Sequence, residues 1–79
     1  MGNGEITIAF GQVLRELRVA KKLTQEQLAD LADFDRTFIG FLERGERSPS
    51  LDTVFALATA LGIPANRLIA KVDALLREQ

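Results

Sequence analysis

Apolar residues recur along this chain in blocks at the three- and four-residue spacing of amphipathic helices, separated by short polar or glycine-bearing breaks. Phe10, Val13, Leu14 and Leu17 predict a first helix from about Ile8 to Lys21 or Lys22, with Arg15, Glu16 and Lys22 outward. Leu28, Ala29, Leu31 and Ala32 predict an inward-facing second helix over 25–32, and Phe38, Ile39 and Leu42 a third over 36–44. Leu51, Val54, Phe55, Leu57, Ala58 and Leu61 form the broad stripe of a fourth over 51–61. From Pro64 the stripe Leu68, Ile69, Val72, Leu75 and Leu76 keeps helical spacing almost to the end, as one helix or two with a bend near Ala70. Residues 1–7, with Gly and Asn among them, are expected to be loosely ordered, although Ile6 and Ile8 could lie on the domain or on a partner. The expected domain is therefore 8–79, all-α, compact and five-helical.

The helix ends carry their own signals. Thr24 can accept from a free backbone N–H one turn on, and Gln27 stands where a side chain can return the bond, which is the pattern of a capping box. Asp35 is a suitable N-cap for the third helix, and its charge suits the positive end of the helix dipole. Gly45 supplies a left-handed stop after the third helix and Gly62 after the fourth. Ser50 caps the fourth, with Pro49 preventing continuation from before, and Pro64 suits the first turn of the fifth. Two short helices joined by a tight connection, between Thr24 and Gly45, are the mark of a helix-turn-helix at about 25–44. The outer face of its second helix holds Arg36, Thr37, Gly40, Phe41 and Arg44, a mixture suited to a groove.

Composition narrows the function. At 79 residues this is one domain, small enough that a helical bundle or a partner is needed for comfortable stability. With no Cys and no His, thiolate clusters, imidazole ligands and Cys–His nucleophilic pairs are excluded. The carboxylates show no cation-loop spacing, and the scattered glycines make no phosphate loop, so neither a metal, a cofactor nor a small-molecule ligand is expected, nor an enzyme. The N-terminus lacks a basic n-region and a long apolar h-region, and apolar runs fall far short of the roughly 20 residues of a membrane span, so the expected setting is cytoplasmic. A net charge of −1 argues mildly against a nucleic-acid binder. Charge is nevertheless read within a Debye length of about 8 Å, and Arg36, Arg44 and Arg47 cluster around the proposed groove face.

The runs R-E-L-R at 15–18, L-T-Q-E-Q-L-A at 23–29, D-R-T-F-I at 35–39, L-E-R-G at 42–45, P-S-L at 49–51 and A-L-G-I at 60–63 resemble the Xre/Cro class of lambda-repressor-like DNA-binding domains. The resemblance covers residues 10–70, and D-R-T-F-I is also similar to the controller proteins of restriction–modification systems. It implies a transcriptional regulator binding double-stranded DNA, with Arg18 and Glu43 as a partly buried ion pair. It implies phosphate contacts from Thr24 and Gln25 at the start of the second helix, from Phe38, and from Arg44, Arg47 and Ser48 beyond the recognition helix. Arg36 and Thr37 are the leading base readers, because Arg can donate twice to guanine and Thr can offer a hydroxyl or a methyl. Arg36 could instead pair with Asp33 or Glu46.

Two positions depart from the family pattern. Asp33 stands where a turn glycine is usual, so a left-handed conformation must be taken by an Asp. Phe41 stands where a polar or basic residue is usual; it is a third base-reading candidate through thymine methyls, or a contact for a neighbouring subunit or a protein partner. Leu68, Ile69, Val72, Leu75 and Leu76 form the expected homodimer seam, which would set two recognition helices about one DNA turn, roughly 34 Å, apart on a palindromic operator. A phage-type repressor, a controller protein and an antitoxin all remain open, as does a helix-turn-helix protein-interaction module using Phe41 and the C-terminal stripe.

Overall fold

The computed structural model describes residues 2–78. Among them are five helices and no strand: α1 (Gly2–Ala20), α2 (Gln25–Ala32), α3 (Arg36–Glu43), α4 (Leu51–Leu61) and α5 (Ala65–Arg77). α1 packs against α3 and α5, α2 against α3 and α4, and α4 against α5. The centre is built from Leu14, Leu28, Ile39, Leu42, Leu57, Leu61 and Leu68, all fully enclosed, so every helix contributes at least one large side chain. Burying each contributes about 1.5–3 kcal/mol, which makes the core a shared product of all five helices and not of any pair.

Local sequence explains most of the boundaries. Thr24 and Gln27 close a capping box on α2, with Gln27 N–H donating to Thr24 Oγ1 at 3.0 Å and Thr24 N–H to Gln27 Oε1 at 2.8 Å. Ser50 caps α4 by accepting from Thr53 N–H at 3.1 Å. α3 ends in a Schellman closure, in which Gly45 takes φ +74° and its N–H and that of Glu46 donate to the carbonyls of Leu42 and Phe41.

Several expectations need correction. α1 starts at Gly2, not near Ile8, because Thr7 and Ala9 on that early stretch are already buried; of the segment expected to be loosely ordered, only Met1 lies outside the described residues. α1 also ends at Ala20, before Lys21 and Lys22, and there Lys22 adopts a left-handed φ of 61° that costs a side-chain residue more than a glycine. α3 stops at Glu43, leaving Arg44 as its C-cap, and Pro64 is the N-cap of α5 and not part of its first turn. α5 runs as a single helix. Leu31, expected to face inward, is exposed, and so are Leu51 (74%) and Phe55 (60%) from the α4 stripe. That stripe is broader than the face α4 can bury, because only α2 and α5 cover it extensively.

Candidate nucleic-acid interface

The candidate surface is built from the start of α2, the turn, and the length of α3. Between the two helices Asp33 takes φ 62°, ψ 44°, the left-handed conformation that its sequence position demands, and Phe34 N–H closes on Ala29 O at 2.8 Å. Asp35 occupies the N-cap of α3, but its side chain makes no cap hydrogen bond; its backbone carbonyl instead accepts from Phe38 and Ile39. The expected side-chain cap is therefore not made, and the Asp35 side chain is exposed beside Arg36 and Thr37, which are exposed too.

Glu43, at the other end of α3, is the hub that holds this surface in place. Arg18 of α1 donates from Nε to Glu43 Oε2 at 2.6 Å and from Nη2 to Oε1 at 3.0 Å, with side-chain exposures of only 12% and 4%. The remaining Arg18 nitrogen, Nη1, donates to the carbonyl of Leu23 at 2.8 Å, so the same guanidinium ties down the α1–α2 connection. Gln25 Nε2 adds a third donor to Glu43 Oε1 at 3.0 Å. A buried charge held this way is fully partnered, and no buried side-chain polar atom among the described residues lacks a hydrogen bond.

That third bond sets the orientation of Gln25. With its amide nitrogen on Glu43, its Oε1 is left to accept from Arg36 Nη1 at 3.5 Å. Arg36 thus leans on Gln25 and pairs with neither Asp33 nor Glu46. The amide expected to grip phosphate is engaged inside the protein by one of its donors, and only the other hydrogen of Nε2 is left for a phosphate oxygen.

The outer side of α3 holds a second cluster. Phe38 is half-buried and meets Phe34 edge-on at 5.2 Å, so its ring is bound into the rim of the core. Phe41, also half-buried, has the guanidinium of Arg44 at 5.5 Å from its ring centre and that of Arg47 at 5.2 Å. Its ring is thus a support for two cations, which leaves less of it to meet a thymine methyl than an open outer face would offer. Gly40, expected on the outer face, is buried beneath Arg44: a β-carbon there would come within 3.0 Å of Arg44 Nη1. Arg44 in turn pairs with Glu46, Nε to Oε2 at 2.9 Å and Nη2 to Oε1 at 3.4 Å. This hydrogen bond holds the Glu46 carboxyl below its ordinary range and raises the Arg44 guanidinium above its own. Arg47, Thr24 and Ser48 are exposed. Together Asp33, Phe34, Asp35, Thr37, Phe38, Phe41 and Arg47 line an open groove of about 520 Å³.

The C-terminal stripe divides. Leu68 and Val72 are buried in the chain's own core and cannot form a seam with another copy. Leu75 and Leu76 are half-buried against that core, while Ile69 is 45% exposed. Two contacts carry little sequence signal. Gly11 sits against the last turn of α3, a contact for which a lone glycine in a helical stripe was the available signal. Glu46, an alternative mate for Arg36 by sequence, pairs with Arg44 instead.

Residues 14–68 match the helix-turn-helix family, a span that runs from the middle of α1 into α5 and includes the whole of the surface just described. The chain belongs to that family. It shares 40% identity over 65 residues with the control protein C.BamHI of Bacillus amyloliquefaciens, covering 81% of this chain and 80% of that one. The restriction–modification controller protein C.AhdI of Aeromonas hydrophila superposes with a TM-score of 0.76 at 52% identity, over 78% of this chain and 94% of that one. The controller protein C.Esp1396I, solved as a tetramer with its natural 35 base-pair operator, superposes with a TM-score of 0.74 at 25% identity, over 85% and 93%. The chain spans half the length of the immunity repressor protein of Bacillus phage phi105, to which it is 38% identical over 72 residues, and 80% of the length of C.BamHI. The fold is the all-α lambda-repressor-like one, and as a member of this helix-turn-helix family the chain is a DNA-binding transcriptional regulator, not a member of an enzyme family. Among the described residues no single helix is long and apolar enough to cross a membrane.

Proposed function

We propose that this helix-turn-helix protein binds a palindromic operator as a homodimer, with α3 in the major groove, and regulates a promoter from there. The observation that carries this reading is the exposed N-terminal end of α3, where Arg36 is braced by Gln25 and flanked by Thr37. Arg36 reads guanine through its two donors and Thr37 an adjoining base. Arg47, Ser48, Thr24 and the free amide hydrogen of Gln25 hold the phosphates on either side, and Arg44 joins them once released from Glu46. Phe38 and Phe41 act mainly by fixing the groove wall and the cations above it.

The homodimer seam uses apolar residues that the protomer leaves wholly or partly uncovered. Ile69 and Leu76 are seven residues apart on one face of α5, and Leu51 and Phe55 are four apart on α4. A second copy is the favoured occupant because the C.Esp1396I relative assembles on its operator, and a palindrome presents the same half-site twice. An operator overlapping a promoter would block polymerase, and one just upstream would recruit it.

Selection of bound sequences from a random DNA pool at two salt concentrations tests the reading. The expected result is an inverted repeat with half-sites about one helical turn apart and binding that weakens steeply with salt. Failure to enrich any motif would reject it.

A further inference from the structure

Glu46 and Arg44 meet through two contacts, Nε to Oε2 at 2.9 Å and Nη2 to Oε1 at 3.4 Å, the forked geometry in which a guanidinium also grips a phosphate. The fold imposes this meeting. Gly45 at φ +74° turns the chain back on α3, the N–H of Glu46 closes on Phe41 O at 2.9 Å, and residue 46 is thereby brought alongside the residue two before it. Gly40 leaves room for the guanidinium where a β-carbon would crowd it, and the Phe41 ring supports it at 5.5 Å. Arg47 lies at 5.2 Å from the same ring, so two like charges share one aromatic support and the Glu46 carboxylate is the neighbouring charge that offsets their repulsion.

From this geometry, and resting on the reading of α3 as a DNA-binding helix, we propose that Glu46 is a resident competitor of the DNA backbone for Arg44. Carboxylate and phosphate carry the same sign and address the same donors. A duplex that engages Arg44 must first displace Glu46 and then tolerate the displaced carboxylate nearby. Because both side chains are half or more exposed, at 56% and 50%, the exchange takes place in water, and its effect on affinity is modest and reversible. Glu46 therefore lowers the affinity of this protein for any duplex by a modest factor, by occupying the cation that follows α3. Arg47 has a different status: it shares the ring, and the carboxylate contacts of Glu46 go to Arg44.

The test is a thermodynamic cycle on a random-sequence duplex at low salt, using the full chain, Glu46→Gln, Arg44→Ala and the double variant. Glu46→Gln is expected to tighten binding about two- to fivefold per protomer, the range of an exposed ion pair, and most of that gain is expected to vanish in the Arg44→Ala background. An unchanged affinity for Glu46→Gln would overturn the proposal. An equal gain in both backgrounds would overturn it as well, since the carboxylate would then act on the interface through bulk charge alone. Thermal melting close to wild type is expected for all three variants because the altered side chains are on the surface. Absence of any DNA binding by the wild-type protein would instead remove the DNA-binding reading itself, and this proposal with it.

Discussion

Gly11 of α1 lies so close to the carbonyl of Leu42 in α3 that a β-carbon at position 11 would overlap it, and the carbonyl of Glu43 is nearly as near. The neighbours are backbone atoms at the end of the recognition helix, which cannot swing aside as a side chain would. Alanine would gain about 1 kcal/mol in helix propensity and lose about 1–3 kcal/mol by overpacking. Gly11→Ala is therefore expected to lower the stability and shift α3 relative to α1. Chemical denaturation measures the first effect, and a variant as stable as wild type would show that the contact relaxes freely.

Removing Arg18 leaves Glu43, which is 4% exposed, with only the neutral amide of Gln25. Arg18→Ala is expected to cost about 3–5 kcal/mol, a large share of the stability of so small a domain. The double variant Arg18→Met with Glu43→Leu, which removes both charges and keeps volume, is expected to lose much less. Equal melting temperatures for the two would contradict the stranded-charge account.

Base readers and backbone contacts should separate in binding experiments. Arg36→Ala is expected to lose about 1–3 kcal/mol of discrimination at one base pair of each half-site. Arg47→Ala is expected to weaken binding to all sequences alike and to reduce the salt dependence by about one phosphate contact. A loss of sequence preference on altering Arg47, with none on altering Arg36, would exchange their roles.

Ile69→Arg or Phe55→Arg places a charge on an exposed apolar side chain without disturbing the core. Either is expected to shift the protein toward monomer in light scattering and to weaken binding to a full palindrome more than to a half-site. A dimer unaffected by both changes would place the seam elsewhere.

The Arg44–Glu46 pair gives a pH signature. Its hydrogen bond lowers the carboxyl of Glu46, so the contribution of the pair is fully present above the unfolded-state value of 4.5 and is lost as pH falls through the lower folded value. NMR titration of the Glu46 carboxyl is expected to give a midpoint below 4.5 in wild type that returns toward 4.5 in Arg44→Ala. Identical midpoints would mean that the pair is not held in solution.

How far the chain disclosed itself depended on the range of the interaction. The bounds of α2 and α4, the caps at Thr24 and Ser50 and the left-handed Asp33 follow from neighbours within a turn, where sequence spacing is sufficient. The C-terminal stripe misled because periodicity reports which residues share a face and not what covers it: Leu68 and Val72 are enclosed by their own chain while Ile69 is not. For the same reason Leu31, Leu51 and Phe55 read as core and are exposed. The tight seat of Gly11 depends on the end of α3, some thirty residues away in sequence, and the early start of α1 on the burial of Thr7 and Ala9 in the folded chain, both beyond any local signal. At the candidate interface the residues were legible but their couplings were not: Arg36, Gln25 and Arg44 were each singled out, whereas the partners that hold them depend on side-chain direction.

Glu43 and Arg36 stand two turns apart on the same face of α3, and the amide of Gln25 reaches both. Arg36 meets a carbonyl oxygen whose direction has been dictated by a buried carboxylate. Hydrogen-bond donors are welcome there and acceptors are not. The interior of the protein thus bears on its surface: if position 36 reads bases as proposed, a side chain long enough to reach Gln25 is expected to do best with a donor directed at that oxygen.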